Sequence, residues 1–327
     1  MQHGGGAMDL VVNEYGSAHD NVQQFTLVGI PGGRVPSGGS LVSMSTTFND
    51  CSNLDPSPSD VWIISVNGVR FYVHRHRLSS ASENNFNFLI PGRPDLKGRP
   101  PHIIALPEDS NVLNVMLHTI YDISCDSYHP SFETLTSAIG ALRKYGVSLQ
   151  EYMAPATPLF TLVLNQAPRR PIETYALAAE NELNDLAVSV SSHLLSFQLR
   201  DLTDGLATRM GPLYLRRLVL LHHTRTAELR RIIFSPPYPH GPTNSCGIVD
   251  RKALSRAWAL AAAQLAWDAN PNLSSSVIQE TFGSLLEQIS CTICKENLMI
   301  RVKEIVIQWS IMNVSQTTSI LDYELYY

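Results

Sequence analysis

Two short apolar runs joined by Asn67–Gly68 constrain the fold of this chain more than any other feature. The runs "VWIIS" (61–65) and "VRFYV" (69–73) are rich in β-branched and aromatic residues, which favour strands. Asn and Gly accept the positive φ angles of a two-residue hairpin turn, so the sequence predicts an antiparallel hairpin. Phe71 and Val73 alternate onto one face of the second strand, and we expect both to be buried.

Helix and strand signals continue after the hairpin. "HRLSSASENNF" (76–86) favours a helical turn, and "HIIALP" (102–107) favours a third strand, which its proline ends because proline cannot donate to a sheet. The following segment (108–122) has apolar residues at helical spacing, with Asp109 or Ser110 as the predicted N-cap.

A second long helix is expected between Ser131 and Gly146. Ser131 and the polar residues after it form an imperfect capping box, and glycine is the residue that most often ends a helix. Strands followed by helices indicate an α+β domain, which we place at residues 59–150. Residues 1–58 contain Gly-Gly pairs and Pro/Ser-rich stretches without periodicity, which predicts a disordered leader.

Beyond residue 150 the sequence predicts helices alone. We expect an all-α region over 151–313, with Pro-rich breaks at 168–171 and 236–242, and a short tail at 314–327. Its tryptophans fall at apolar positions, so we expect them to pack the helical region against the α+β domain; they are Trp258, Trp267 and Trp309. The predicted helical stretches are 157–166, 172–198, 206–221, 224–234, 252–268, 275–289 and 293–313.

The composition argues against several classes of protein. The chain has 327 residues and a formal net charge of −5, which disfavours chain-wide attraction to nucleic acid or an acidic membrane surface. It has no secretory signal at its start and no apolar run of about 18 residues. An odd number of cysteines without a signal predicts reduced thiols, and therefore an intracellular protein of the cytoplasm or nucleus.

Sequence motifs give no indication of an enzyme. The zinc-protease, nucleophile-elbow, Rossmann and kinase signatures are missing, and acidic pairs such as the one in "PEDS" sit at a helix start that the helix dipole explains. We therefore expect no catalytic residues, no required cofactor and no small-molecule substrate.

The stretch "DVWIISVNGVRFYVHRHRLSSAS" resembles the opening of a BTB/POZ domain, with its Asp-Val, strand, turn, F-x-V-H and L-S-x-A-S. "IIALPEDSNVLNVMLHTIYD" is similar to the third strand and the following helix of that family. "RAWALAAAQLAWDANPNLSSSVI" and "SCTICKENLMIRVKEIVIQWS" resemble the large fungal group of BTB proteins with a long helical C-terminal region. The resemblance implies a non-enzymatic protein-interaction module that binds protein partners or another copy of itself.

In some relatives, an acidic residue at the strand start and a His-basic pair line a groove for a partner peptide. The matching positions here are Asp60, His74 and Arg75. Two other interpretations stay open, because His74 at a strand–helix corner can be a hydrogen-bonded core histidine and Arg75 a solvated helix start. Asp60 paired with Arg75 would offset the unfavourable dipole at that helix start.

Two segments depart from the family pattern. "FNDCSNLDPSPS" (48–59) replaces the strand and helix through which many animal members dimerise, which puts a swapped dimer in doubt. The loop "IPGRPDLKGRPP" (90–101) lacks the glutamate of cullin-binding members, which weakens a role as a ubiquitin-ligase substrate adaptor but leaves it as an alternative.

Four residues near the end of the chain are candidates for a metal site. Cys291 and Cys294 form a C-x-x-C, and Cys246 and His240 lie upstream. Thiolates and imidazole suit structural zinc, which takes four such ligands in a tetrahedron. A C-x-x-C on a helix is also compatible with two small buried thiols or with a redox pair, and the sequence leaves these alternatives open.

The segment 209–234 is the best argument for nucleic acid as a partner. Arginines on one helical face would neutralise phosphates and make binding strongly salt-dependent. The segment also has an apolar stripe typical of packed helices and lacks interleaved aromatic residues, so a solvated polar face is favoured. Its six arginines are Arg209, Arg216, Arg217, Arg225, Arg230 and Arg231.

Overall fold

The structure is a computed structural model that describes residues 22–25, 42–91 and 101–322, with side chains over 43–91 and 101–312. It is mixed α+β, as the sequence predicts. The chain divides into two compact units, Met1–Asn165 and Gln166–Tyr327, so the division lies after the expected domain end at 150. Most of the loop at 90–101 lies outside the described residues.

Unit 1 contains a five-stranded sheet in the order β1-β2-β4-β3-β5. The predicted antiparallel hairpin is confirmed, because β3 and β4 pair with Val61 opposite Val73. The predicted two-residue turn is wrong: Gly68 has a φ of +83° but Asn67 has no positive φ, and the Gly68 N–H donates to the carbonyl of Ser65 at 2.9 Å. The third strand pairs parallel to β3. Phe71 and Val73 are buried as expected. The strands are β1 (Val22–Phe25), β2 (Val42–Ser45), β3 (Val61–Ile64), β4 (Arg70–Val73) and β5 (His102–Ala105).

The expectation of a disordered leader over 1–58 is wrong for residues 42–58. Strand β2 pairs parallel with β4, and Phe48 is fully buried with its ring 5.3 Å from that of Tyr121. A single aromatic anchor gives no periodic signal, which is why pattern analysis does not detect it. Strand β1 lies further upstream, and residues 1–21 and 26–41 of the predicted leader lie outside the described part of the chain.

Two helices of unit 1 begin where the sequence places their caps. The Asp109 carboxylate accepts the N–H of Asn111 at 2.9 Å, and the Ser131 hydroxyl accepts that of Thr134 at 3.1 Å. Side chains at helix N-termini satisfy backbone donors that have no partner within the helix. The helices are α1 (Arg75–Ala81), α2 (Ser110–Ile120), α3 (Phe132–Lys144), α4 (Leu149–Tyr152) and α5 (Pro158–Leu164).

We expect Gly146→Ala to cost about 2 kcal/mol or more of unfolding free energy, and Gly68→Ala about 1 kcal/mol. Both glycines have positive φ angles, but a Cβ at Gly146 would lie 2.9 Å from the backbone nitrogen of Asn84, whereas a Cβ at Gly68 meets nothing within 4 Å. Urea unfolding of the two variants measures the difference, and equal losses would contradict the proposed steric origin.

Unit 2 contains six helices among its described residues. The stretch predicted as one helix over 172–198 is interrupted at Glu182, which has a φ of +56°. The two stretches predicted at 206–221 and 224–234 belong to one helix, α8, which breaks instead at Gly211, where the next residue is proline. The helices are α6 (Pro171–Glu180), α7 (Asn184–Ser191), α8 (Asp204–Ile233), α9 (Ile248–Trp267), α10 (Ser275–Gly283) and α11 (Thr292–Asp322).

Two of the three tryptophans are core residues of unit 2, and the third is not. Trp258 stacks on Phe282 with ring centroids 3.9 Å apart, and the Trp309 indole N–H donates to the carbonyl of Leu273 at 2.7 Å. Trp267 is 90% exposed, so the expectation that it packs is wrong. It follows Trp258 by nine positions, which at about 100° per residue puts it on the opposite side of α9.

Candidate metal centre and other predicted sites

The four predicted metal ligands come from two places in unit 2. His240 and Cys246 lie in the loop between α8 and α9, which the Arg251 guanidinium holds by donating to the carbonyl of His240 at 2.8 Å. Cys291 directly precedes α11 and Cys294 lies in its first turn. The cluster therefore joins the loop before α9 to the start of the last helix.

The distances within the cluster match the edges of a coordination tetrahedron. His240 Nε2 lies 3.2 Å from Cys294 Sγ and 3.4 Å from Cys291 Sγ, and Cys246 Sγ lies 3.8 Å from Cys294 Sγ. All four ligand atoms lie within 4.8 Å of one another. Zinc bond lengths to sulfur and nitrogen give tetrahedral edges of about 3.8 Å between sulfurs and about 3.6 Å between sulfur and nitrogen. The four side chains can hold a metal ion.

The imidazole of His240 is in the tautomer that metal binding needs. Its Nδ1 lies 2.6 Å from the carbonyl oxygen of Gly241 and donates its proton to that oxygen. This leaves the lone pair of Nε2 directed at the sulfurs. A backbone carbonyl that fixes the second ring nitrogen is the usual outer partner of a ligating histidine.

The three thiols are buried and their pKa values differ. Cys291 has its pKa lowered to about 7, first because its sulfur accepts the backbone N–H of Cys294 at the start of α11. Burial raises the pKa of Cys294 to about 12 and also raises the pKa of Cys246. A bound cation would stabilise all three thiolates together.

A cavity of about 110 Å³ adjoins the cluster. Cys246, Cys291 and Cys294 form part of its wall, and α9 and the residues before α11 form the remainder. All five cysteines of the chain are free thiols, so no disulfide competes with metal coordination.

His74 is a core residue, in agreement with the alternative that the sequence left open. It is 5% exposed, its Nε2 donates to the carbonyl of Ser57 at 2.9 Å, and its Nδ1 accepts from the Tyr121 hydroxyl at 2.7 Å. The backbone N–H of His74 donates to the same hydroxyl at 2.8 Å. Almost no surface of His74 is left for a partner to contact.

Asp60 and Arg75 meet at the start of α1. The Asp60 carboxylate accepts the backbone N–H of Arg75 at 2.7 Å, and the guanidinium Nε lies 3.6 Å from the second carboxylate oxygen. The Arg75 side chain is 12% exposed and that of Asp60 is 53% exposed. The guanidinium also donates to the carbonyl of Pro91 at 3.2 Å. Asp60 thus stabilises the helix start and presents part of its carboxylate to solvent.

His74, Arg75, His76 and Arg77 form a basic tetrad, and its last two residues bind an acid that the sequence did not single out. The Asp55 carboxylate lies 3.0 Å from both His76 Nε2 and Arg77 Nε. Its pKa is well below the usual range, first because it accepts the backbone N–H of Ser57. The tetrad therefore anchors the segment before β3 and does not form a metal or phosphate site.

The six arginines of 209–234 do not share one face. Arg217 and Arg225 are buried, and Arg225 has its guanidinium 3.4 Å from the centre of the Trp309 ring. Arg209 pairs with Glu180, and Arg231 pairs with Glu228. The two buried side chains are not available to phosphates, which weakens the case for nucleic acid.

The segment 85–88 after α1 presents an exposed aromatic side chain that was not among the predicted site residues. Residues Asn85, Phe86, Asn87 and Phe88 all have left-handed backbone, with φ between +53° and +61°. Phe86 is fully buried, stacks on Tyr145 at 4.5 Å and donates its N–H to the hydroxyl of Ser82. Phe88 is 81% exposed. No turn signal in "ENNFNF" predicts four consecutive left-handed residues.

Comparisons with known proteins give no relative. The chain matches no protein-family model, no curated protein and no solved structure. Across the helices that the structure describes, none combines the length and the apolar character that crossing a membrane requires.

Proposed function

We propose that this chain is a non-enzymatic protein-interaction protein, an adaptor or scaffold whose unit 1 is a BTB/POZ-like domain. Three features of unit 1 support this. The hairpin of β3 and β4 is followed by α1, β5 pairs parallel to β3, and the helices α2 and α3 come next. This order agrees with the segments that carry the resemblance, in a chain where the motifs of common enzyme classes are missing.

The observation that carries the proposal is the exposed Phe88 on a strained backbone. Asparagine tolerates left-handed backbone, but a phenylalanine there costs roughly 1–2 kcal/mol, so Phe86 and Phe88 keep it only where their surroundings stabilise it. Here Phe86 is buried against Tyr145 and holds the segment 85–88 in place, while the Phe88 ring lies in solvent. Rigid exposed aromatic side chains are typical of protein-binding surfaces.

The Asp60–Arg75 pair extends this surface. Arg75 donates to the carbonyl of Pro91, three positions after Phe88. This hydrogen bond connects the Asp60–Arg75 pair to the segment that carries Phe88. Leu89, next to Phe88, is 38% exposed. A partner peptide that offers one apolar side chain and one basic group would satisfy both Phe88 and the exposed carboxylate of Asp60.

We expect Phe88→Asp to reduce recovery of a protein partner at least about tenfold, because an anchor residue would be replaced by a charge. Quantitative affinity purification of the full chain measures this. Val66→Asp is the matched control, since Val66 is also exposed in unit 1, at 68%, but belongs to the β3–β4 turn region. Equal partner recovery for Phe88→Asp and the unaltered chain would refute this surface.

We further propose that His240, Cys246, Cys291 and Cys294 bind one structural zinc ion. The support is the agreement between the cluster's distances and tetrahedral edges, together with the tautomer of His240. With four protein ligands the site would be closed, as in structural rather than catalytic zinc sites. Metal analysis of the purified full chain tests this, and a zinc content near zero would exclude it.

A further inference from the structure

The outward face of α9 exposes large apolar side chains from its first turn to its last. Its inward stripe, around Trp258 and Leu265, packs in the core of unit 2. On the other side Val249 is 79% exposed, Leu260 74% and Trp267 90%. A surface helix normally carries polar residues on its solvent side. These side chains therefore form a second apolar stripe, which the core of unit 2 does not cover.

The outward residues follow a 4-3-4-3-4 spacing. At about 100° per residue all of them lie within about 40° of the direction opposite Trp258. This spacing is that of a coiled-coil seam, in which alternating steps of three and four keep one stripe against a second helix. We call these residues the α9 seam: Val249, Ala253, Arg256, Leu260, Ala263 and Trp267.

The α9 seam is complementary to itself in the antiparallel direction. Because its spacing reads the same both ways, a second copy would set Val249 against Trp267, Ala253 against Ala263, and Arg256 against Leu260. The alanine pairs let the two helices approach closely, and the tryptophan would cover the valine at either end. Every seam residue except Leu260 would then have an apolar side chain opposite it, and Leu260 would lie against the aliphatic stem of Arg256.

Charge selects the same orientation. In a parallel pair Arg256 would face its own copy, and so would Lys252 at the edge of the seam. In the antiparallel pair Lys252 lies beside the C-terminal turn of the other helix, where the dipole is negative and Asp268 follows. Like charges are separated and opposite ones approach.

The exposed area is large enough for a dimer. Val249, Leu260 and Trp267, with the neighbouring Ile248 at 63% exposure, present on the order of 500 Å². Two copies would bury about 1,000 Å² from these side chains alone, which is near the minimum area of a biological interface and typical of a weak, reversible dimer.

We propose that the α9 seam is a self-association surface on which a second copy of this chain docks antiparallel. This deepens the interaction function proposed above and rests on it, and it names the partner of unit 2 as the same chain. The interface is isologous, so each α9 contributes the same residues to it.

Sedimentation velocity of the full chain over a range of concentrations tests the inference. We expect a monomer–dimer equilibrium whose dissociation constant rises at least about 100-fold in Leu260→Lys, because each lysine would be buried against Arg256 of the other copy. Ile300→Lys is the matched control, since Ile300 is 55% exposed on α11, outside the seam. It should leave the dissociation constant unchanged, and circular dichroism should show equal helix content in both variants.

Disulfide trapping tests the orientation. In a Cys51→Ser background, a mixture of Val249→Cys and Trp267→Cys chains should form a cross-linked dimer, whereas Val249→Cys alone should not, since its two copies would lie about 27 Å apart. Cross-linking of Val249→Cys to itself would overturn the antiparallel arrangement.

Two results would overturn the self-association surface. One is a chain that stays monomeric at every concentration, and the other is a dimer that Leu260→Lys leaves intact. Neither result bears on the proposed binding surface around Phe88, which is tested by partner recovery with Phe88→Asp. The two proposals therefore fail independently.

Discussion

Cys291→Ala is expected to abolish zinc binding and to lower the free energy of unfolding of unit 2 by about 3 kcal/mol or more. The four ligand atoms lie within 4.8 Å of one another, so removing one leaves an open site with two buried thiols and an imidazole. Structural zinc contributes directly to folding, because the unfolded chain does not hold the ligands together. The loss should affect the contact between the loop before α9 and the start of α11.

Metal analysis and thermal unfolding measure the two effects. Cys125→Ala is the matched control, since Cys125 is also buried and free but lies in unit 1. It should retain one zinc ion per chain. A strong chelator should lower the stability of the unaltered chain to that of Cys291→Ala and leave the variant unchanged. A Cys291→Ala chain that retains full zinc would exclude these four residues as the ligand set.

Arg225→Ala is expected to lower the free energy of unfolding by about 3 kcal/mol. Arg225 is 2% exposed, its guanidinium lies 3.4 Å from the centre of the Trp309 ring, and it donates to the carbonyls of Pro271 and Trp309. Truncation leaves both carbonyls without this donor and opens a cavity beneath the indole. Burial also lowers the pKa of Arg225 to about 10, which shows how strongly this site is desolvated.

Two further substitutions separate the contributions. Arg225→Lys keeps the charge but not the planar group that stacks and donates twice, so we expect about half of the loss. Arg230→Ala removes an exposed arginine of the same helix and should change stability by less than about 0.5 kcal/mol. Urea unfolding followed by tryptophan fluorescence measures all three. A loss below about 1 kcal/mol for Arg225→Ala would show that the buried arginine is not a stabilising element.

The hairpin and the helix caps could be predicted because their causes are local. Gly68 supplies the positive φ angle that the turn needs, and Asp109 and Ser131 cap helices two or three residues away. The break in α8 lies at Gly211–Pro212 and not at the predicted position between 221 and 224. Its cause is also local, because proline cannot donate the helical hydrogen bond.

The candidate metal site was predicted in its chemistry but not in its geometry. The sequence shows that Cys246, Cys291, Cys294 and His240 are suitable ligands, and it equally allows buried thiols. Only the packing of α11 against α8 and α10 brings residues more than 50 positions apart within contact. Spacing along a chain does not report distance in space once several helices intervene.

Long-range packing alone decided the other outcomes. The sequence shows a basic tetrad and a row of arginines, but Asp55 binds two residues of the tetrad and the core of unit 2 encloses Arg217 and Arg225. Whether a charged side chain faces solvent depends on partners that are distant in sequence.

The sequence by itself determined the α+β start, the helical remainder and the ligand types, because these follow from backbone preferences and side-chain chemistry. The tertiary structure decided which of two apolar faces of α9 is buried and which is left to solvent. Helical periodicity identifies both stripes, but only the neighbouring helices choose between them.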